Sequence, residues 1–135
     1  MALILYRLAL WLAFPLVWLY LLKRSRKQPE YRLHWAERLG YYSVGQSNSD
    51  PQGNTRPIWL HAVSVGEMRA SQPIVQALHQ QYPDIPLILT CMTPTGRATA
   101  QELFGAATGI NATVVFLPYD YPSAIRRFLR TFQPR

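Results

Sequence analysis

The sequence predicts an α/β fold with a parallel sheet, preceded by one N-terminal transmembrane helix. Two observations carry this prediction. The first is an apolar block of membrane-spanning length, in which only Arg7 and Pro15 among residues 1–22 are not apolar. The second is an alternation of short apolar runs with helical patterns over residues 57–135. Such alternation indicates strand–helix–strand units with right-handed crossovers, and therefore a parallel sheet.

The composition of the chain excludes several classes of protein. The chain has 135 residues, 49% of them hydrophobic, which is room for one domain or part of a larger one and too apolar for a disordered chain. The single cysteine, Cys91, excludes a disulfide framework and a thiolate zinc cluster. Much of the net charge of +7 comes from residues 23–38, directly after the apolar block. That position favours anionic lipid over nucleic acid as the partner of the basic residues.

Residues 1–22 are predicted to form a transmembrane anchor, because an apolar helix of this length spans roughly 30 Å of hydrocarbon. A cleaved signal peptide and a buried core helix are the alternatives. The cations follow the apolar block rather than precede it, which argues against a signal peptide. The positive-inside rule then places residues 23–27, and everything after them, in the cytoplasm.

Residues 23–56 are predicted to be a basic connector and loop. Residues 29–39 have the pattern of a short amphipathic helix, which Gly40 ends. This helix could lie on a membrane surface or pack on the globular domain, and both interpretations remain open. Residues 43–56 are rich in Ser, Gly, Asn and Pro and predict a loop.

The remaining residues predict three strand–helix units. Pro73 interrupts the first helical pattern, and because proline suits a first turn but disrupts a helix interior, the helix either begins near Ser71 or is kinked there. In both cases residues 66–70 should form a short, separate turn. The predicted strands are 57–61, 86–91 and 112–117, and the second and third helices are 95–104 and 122–132.

Ligands of parallel sheets bind at the carboxyl ends of the strands, here the loops 62–67, 92–96 and 118–121. In the first loop, Glu67 would face the crevice from the start of a helix, where a carboxylate can act as a general base. The alternative is that Ser64 and Glu67 form a capping box, which has this spacing.

The second loop also has two interpretations. Thr93 or Thr95 can cap the following helix, or the same amides with Arg97 could hold a phosphate or carboxylate. Neither phosphate-loop nor dinucleotide-binding glycine motifs are present, and no cluster has metal-ligand spacing. In the third loop, Asp120 is the predicted helix cap. His61, at the end of the first predicted strand, could line the crevice or support the first loop.

Three strings carry a family resemblance. They are WLHAVSVGE at 59–67, TCMTPTG at 90–96 and FLPYD at 116–120, preceded by WAERLG at 35–40. Together with the N-terminal apolar block, they closely resemble the N-terminal part of the 3-deoxy-D-manno-octulosonic acid (Kdo) transferases of Gram-negative bacteria.

This resemblance implies a GT-B glycosyltransferase, with two Rossmann-like domains facing a cleft. Residues 57–135 would be part of the Rossmann-like acceptor-binding domain, without the C-terminal sugar-nucleotide domain. The family transfers Kdo from CMP-Kdo to a lipid A precursor in lipopolysaccharide core biosynthesis, with inversion and without a metal or cofactor. The chain would then belong to the bacterial inner membrane as a single-pass protein with a cytoplasmic catalytic portion.

The resemblance also implies residue roles. Glu67 matches the general base, and the chain alone, lacking the donor half, is expected to be inactive. A membrane-tethered binding module without chemistry and a different GT-B transferase are the alternatives. The implied acceptor-binding residues are Ser64, Gly66, Thr93, Thr95, Gly96 and Arg97.

Overall fold

The structure is a computed structural model that describes residues 2–25, 30, 33–43 and 56–135. Its sheet has three parallel strands in the order β1, β2, β3. This arrangement confirms the predicted parallel sheet of an α/β fold. The strands are β1 (Ile58–His61), β2 (Leu87–Cys91) and β3 (Ala112–Phe116).

The predicted helices of the α/β region are present, and the boundaries given for its second and third helices agree within one residue. Ser71 separates two helices and Pro73 lies in the first turn of the second, so the predicted break is confirmed. The helices are α1 (Ala2–Ser25), α2 (Trp35–Arg38), α3 (Val65–Ala70), α4 (Gln72–Gln81), α5 (Pro94–Phe104) and α6 (Pro122–Phe132), with a 3-10 turn at Ala106–Thr108.

Helices cover both faces of the sheet. Alternate strand residues point to opposite faces, so β2 divides its side chains between two cores. Leu87, Leu89 and Cys91 pack with residues of α3, α4 and α5, whereas Ile88 packs with the aromatic residues of α6. All five residues of β2 are buried, as expected of a central parallel strand covered on both sides.

At β1 the chain switches from one face of the sheet to the other, and the loop after β1 lies at this switch. Helices α4 and α5 lie on one face, and α6 lies on the other. Helix α6 returns the chain to the outer edge of β1, where the Arg135 N–H donates to the Pro57 carbonyl at 2.9 Å. In α/β sheets, the crevice beside such a reversal is the usual place for a ligand.

The predicted transmembrane helix is not supported by the structure. Among the described residues, no helix is long and apolar enough to cross a membrane. Helix α1 packs along the folded domain on one side: the Tyr6 hydroxyl donates to Asp120 at 2.6 Å, and the Phe14 ring meets the Tyr121 ring at 5.7 Å.

The segment after α1 packs on the domain. Glu37 and Arg38 of α2 are 6% and 3% exposed, so the domain-packing interpretation holds for this part of the predicted amphipathic helix. Gly40 ends the segment with a φ of +81°, and a Cβ there would clash with the Ala124 carbonyl oxygen. The rest of the predicted connector and loop, residues 26–29, 31–32 and 44–55, lies outside the described residues.

Candidate functional site

The loop after β1 presents Glu67 as an exposed carboxylate. Ser64 is the N-cap residue of α3, and its hydroxyl makes no capping hydrogen bond. Glu67 Oε2 accepts the Val63 N–H at 2.7 Å, one residue further back than a capping box requires. Neither of the two hydrogen bonds of a capping box is therefore formed, and the capping-box interpretation of Ser64 and Glu67 was wrong.

This hydrogen bond fixes the direction of the Glu67 side chain. It occupies Oε2, while Oε1 makes no hydrogen bond to the described part of the chain. The neighbouring Gly66 faces open space, since a Cβ added there would meet no atom within 4 Å. An oriented, exposed carboxylate beside an open approach is suited to accept a proton from a bound hydroxyl group.

The loop after β2 packs directly against this first loop. Thr93 caps α5, because its hydroxyl oxygen accepts the Gly96 N–H at 3.0 Å, which confirms the capping prediction. The Thr95 hydroxyl lies 3.4 Å from that of Thr93. A Cβ on Gly96 would lie 2.9 Å from Thr93 Oγ1 and 3.6 Å from the Ser64 carbonyl carbon. The structure thus brings five of the acceptor-binding candidates, Ser64, Gly66, Thr93, Thr95 and Gly96, to one edge with Glu67.

The Arg97 side chain binds Glu37 and is not part of the group around Glu67. Its two terminal nitrogens bind the two carboxylate oxygens of Glu37, with Nη2 3.1 Å from Oε1. Glu37 Oε2 also accepts the Phe116 N–H at 2.7 Å, and Oε1 lies 3.1 Å from His34 Nδ1. Arg97 therefore links α5 to α2 and to the end of β3, and its role as an acceptor ligand stays a prediction.

Sequence reasoning missed Glu37 and Arg38 as parts of this edge. Arg38 Nη2 donates to the Met92 carbonyl at 3.1 Å, and its guanidinium lies 4.2 Å from the centre of the Phe116 ring. Both residues come from the short α2 segment and brace the loops after β2 and β3. The sequence signal for Glu37 was weak, because it is an acidic residue within a basic run, three residues before a chain-reversing glycine.

Three further candidates have structural partners. His61 Nδ1 lies 2.9 Å from the Thr90 hydroxyl oxygen, which supports the loop-supporting interpretation, although the imidazole remains exposed. Cys91 is fully buried, and this burial raises the pKa of its thiol to about 11. The predicted cap of α6 was wrong: Tyr121 is the N-cap residue, and Asp120 accepts the α1 tyrosine hydroxyl instead.

The fold and the site together define an α/β protein with a three-stranded parallel sheet and an oriented carboxylate at the carboxyl edge of that sheet. Residues 33–135 match the family model described as 3-Deoxy-D-manno-octulosonic-acid transferase (kdotransferase). The chain belongs to this family, and the family is one of glycosyltransferases.

Curated relatives show the same similarity. The chain is 42% identical over 132 residues to a 3-deoxy-D-manno-octulosonic acid transferase of Bordetella pertussis, covering 96% of this chain and 29% of the relative. It is 38% identical over 121 residues to the enzyme of that name from Haemophilus influenzae, covering 90% and 26%. A probable mitochondrial enzyme of that name from Arabidopsis thaliana is 31% identical over 130 residues, covering 96% and 27%. The chain thus spans less than a third of these relatives, and no solved structure matches it.

Proposed function

We propose that the full-length protein transfers Kdo from CMP-Kdo to a lipid A precursor, with Glu67 as the general base. Family membership supports the Kdo transferase class. The observation that carries the proposal for this chain is the position of Glu67, whose exposed carboxylate is oriented by the Val63 N–H at 2.7 Å. In the proposed reaction, the acceptor binds at the edge of the sheet that carries Glu67. The donor binds mainly to residues outside this chain.

The proposed step is a single displacement. The free oxygen of Glu67 removes the proton from an acceptor hydroxyl as that hydroxyl attacks the anomeric carbon of Kdo. The bond between the anomeric carbon and the phosphate oxygen breaks, and CMP leaves with the bonding electron pair. Attack from the face opposite to CMP inverts the anomeric centre, and the proton remains on the carboxyl group. General-base assistance of this kind is worth about 10²–10⁴-fold in rate.

The surrounding residues suit an acceptor subsite. Gly66 leaves room for a sugar ring to approach Glu67. The Ser64 hydroxyl, which does not cap its helix, remains available to a ligand. Thr95 is exposed on the facing loop. We assign acceptor contact to these residues.

The other three predicted acceptor-binding residues hold the loops of this subsite in place. Thr93 and Gly96 hold the two loops together through the helix cap and the close approach to Ser64. Arg97 positions α5 through its ion pair with Glu37. We therefore assign these three residues to positioning rather than to direct contact.

A lipid acceptor also fits the surface of α1. The apolar side chains on its outward side are largely exposed, among them Ile4 (63%), Leu8 (55%), Leu12 (76%) and Leu16 (66%). A continuous exposed apolar surface marks a site for a partner or a membrane. We propose that this side of α1 contacts lipid and keeps the acceptor edge near its substrate.

The test is transfer from CMP-Kdo to a lipid A precursor by the purified full-length protein. We expect a Kdo-bearing lipid product that depends on donor and enzyme, with the inverted anomeric configuration in its NMR spectrum. Retained configuration would contradict the single displacement. A folded protein that binds the lipid A precursor but transfers nothing would show a binding module instead.

A further inference from the structure

A cleft separate from the Glu67 edge opens between α2 and α6. It has a volume of about 500 Å³, within the range of roughly 300–1,000 Å³ typical of small-ligand sites. One wall is formed by Arg127, Arg130 and Thr131, and the other by residues 34, 36, 37 and 40–43. We call it the α2–α6 cleft.

The charge of this cleft is positive. Glu37 is the acidic residue of its lining, and both its carboxylate oxygens are bound by the Arg97 guanidinium, while Oε2 also accepts the Phe116 N–H. Glu37 is therefore neutralised by Arg97, which does not line the cleft. The charges of Arg127 and Arg130 are left without a matching anion in the lining.

One of these cations is held in place. Arg127 donates from Nε and Nη2 to the Leu39 carbonyl, at 3.0 and 2.8 Å, and its guanidinium lies 4.2 Å from the centre of the Tyr41 ring. These contacts leave Nη1 without a hydrogen bond to the described residues. A guanidinium fixed in this way loses little freedom when it binds an anion.

Arg130 provides a second group of hydrogen-bond donors to the cleft. Arg130 lies three residues further along α6, on the same side of the helix, and is exposed. It makes no hydrogen bond within the part of the chain that the structure describes. Ser43 and Thr131 line the same space. Two guanidinium groups with neighbouring hydroxyls match the oxygens of a phosphate group.

We propose that the α2–α6 cleft binds a phosphate monoester or diester, with Arg127 and Arg130 as its main ligands. Helix α2, which lines the cleft, also packs on α1, because the Trp35 ring of α2 meets the Trp18 ring of α1 edge-on at 4.3 Å. The outward side of α1 is apolar and exposed, so a phosphate carried by a lipid headgroup is the favoured source. Basic residues near a membrane surface attract such anionic headgroups.

The test compares two substitutions on the same helix. Arg130→Gln removes a cleft cation, whereas Arg126→Gln removes an equal charge from an exposed residue that does not line the cleft. The full-length protein and both variants are titrated with phosphatidylcholine vesicles containing phosphatidic acid, and separately with glycerol phosphate and inorganic phosphate. No sugar donor is present, so the result is independent of transfer activity.

We expect Arg130→Gln to weaken binding to the phosphatidic acid vesicles at least fivefold, with Arg126→Gln within twofold of the unsubstituted protein. Arg130-dependent binding of glycerol phosphate alone would support the phosphate site and make a soluble ester its ligand. Equal weakening by both substitutions would overturn the proposal in favour of general surface charge. Absence of binding to every probe, by a protein with an unchanged circular dichroism spectrum, would also overturn it.

Discussion

The carboxylate of Glu37 and the guanidinium of Arg97 form a two-point ion pair across 60 positions of the chain. Both side chains are largely buried, at 8% and 12% exposure. The pair fastens the short α2 segment to the first turn of α5 and, through the Phe116 N–H, to the end of β3. The loops of the candidate site are thus braced by a residue that precedes the α/β region.

Glu37→Gln should therefore destabilise the protein strongly. The amide can still accept the Phe116 N–H, but the Arg97 charge is left buried without its partner. Removing one partner of a buried ion pair costs about 3–5 kcal/mol. The measurement is the free energy of unfolding in urea.

Glu102→Gln provides the matched control for this substitution, because Glu102 is exposed on α5. It should change the free energy of unfolding by less than about 0.5 kcal/mol. The double variant Glu37→Gln/Arg97→Gln should recover part of the loss. A Glu37→Gln protein as stable as the control would contradict the bracing role.

The two glycines of the site should respond differently to substitution by alanine. A Cβ on Gly66 meets no atom within 4 Å, and alanine is favoured over glycine in a helix by about 1 kcal/mol, so Gly66→Ala should not lower stability. It should raise the KM for the lipid acceptor severalfold, since the open space is where we place the acceptor. An unchanged KM would show that the acceptor does not use this space.

Gly96→Ala should instead leave the protein less stable than Gly66→Ala does. Its Cβ would lie 2.9 Å from Thr93 Oγ1, so the Thr93 hydroxyl must move and weaken its cap on α5. Loss of such a cap costs about 1 kcal/mol, which offsets the similar gain that alanine brings over glycine inside α5. The free energy of unfolding in urea measures this effect, and a Gly96→Ala protein at least as stable as the Gly66→Ala protein would contradict the packing of the two loops.

The sequence predicted the α/β region well because its signals are local. Short apolar runs, Pro73 and the Thr93 cap each determine structure within a few residues, and the strands and helices follow them closely. The placement of Glu67 followed from the general rule that ligands bind at the carboxyl ends of parallel strands. Its hydrogen bond to Val63 rather than to the cap residue could not be predicted, because it depends on the exact turn.

The long-range contacts were not predictable in the same way. Glu37 has its partners at Arg97 and Phe116, and no sequence spacing relates these positions. The apolar block was interpreted from its length and composition, whereas its contacts with Asp120 and Tyr121 depend on tertiary packing. Contacts of this kind arise only once the sheet has brought distant segments together.

The Cys91 thiol should make stability depend on alkaline pH. Burial raises its pKa from 9.0 to about 11, so the folded state retains a proton that the unfolded state releases above pH 9. The free energy of unfolding should therefore fall as pH rises from about 9 to 11. Cys91→Ala should show a shallower fall over this interval in urea unfolding at several pH values. The same slope in both proteins would contradict the assignment to this thiol.

We propose Glu67 as the general base of Kdo transfer. Glutamine at this position keeps an oxygen that can accept the Val63 N–H but cannot take up a proton at neutral pH. The most direct measurement is kcat for transfer from CMP-Kdo to a lipid A precursor by the full-length Glu67→Gln protein, beside the Glu102→Gln control. We predict a loss of about 10²–10⁴-fold in kcat with little change in acceptor KM and unchanged stability. Activity within a few-fold of the control would contradict the claim and leave Glu67 with a structural role at the start of α3.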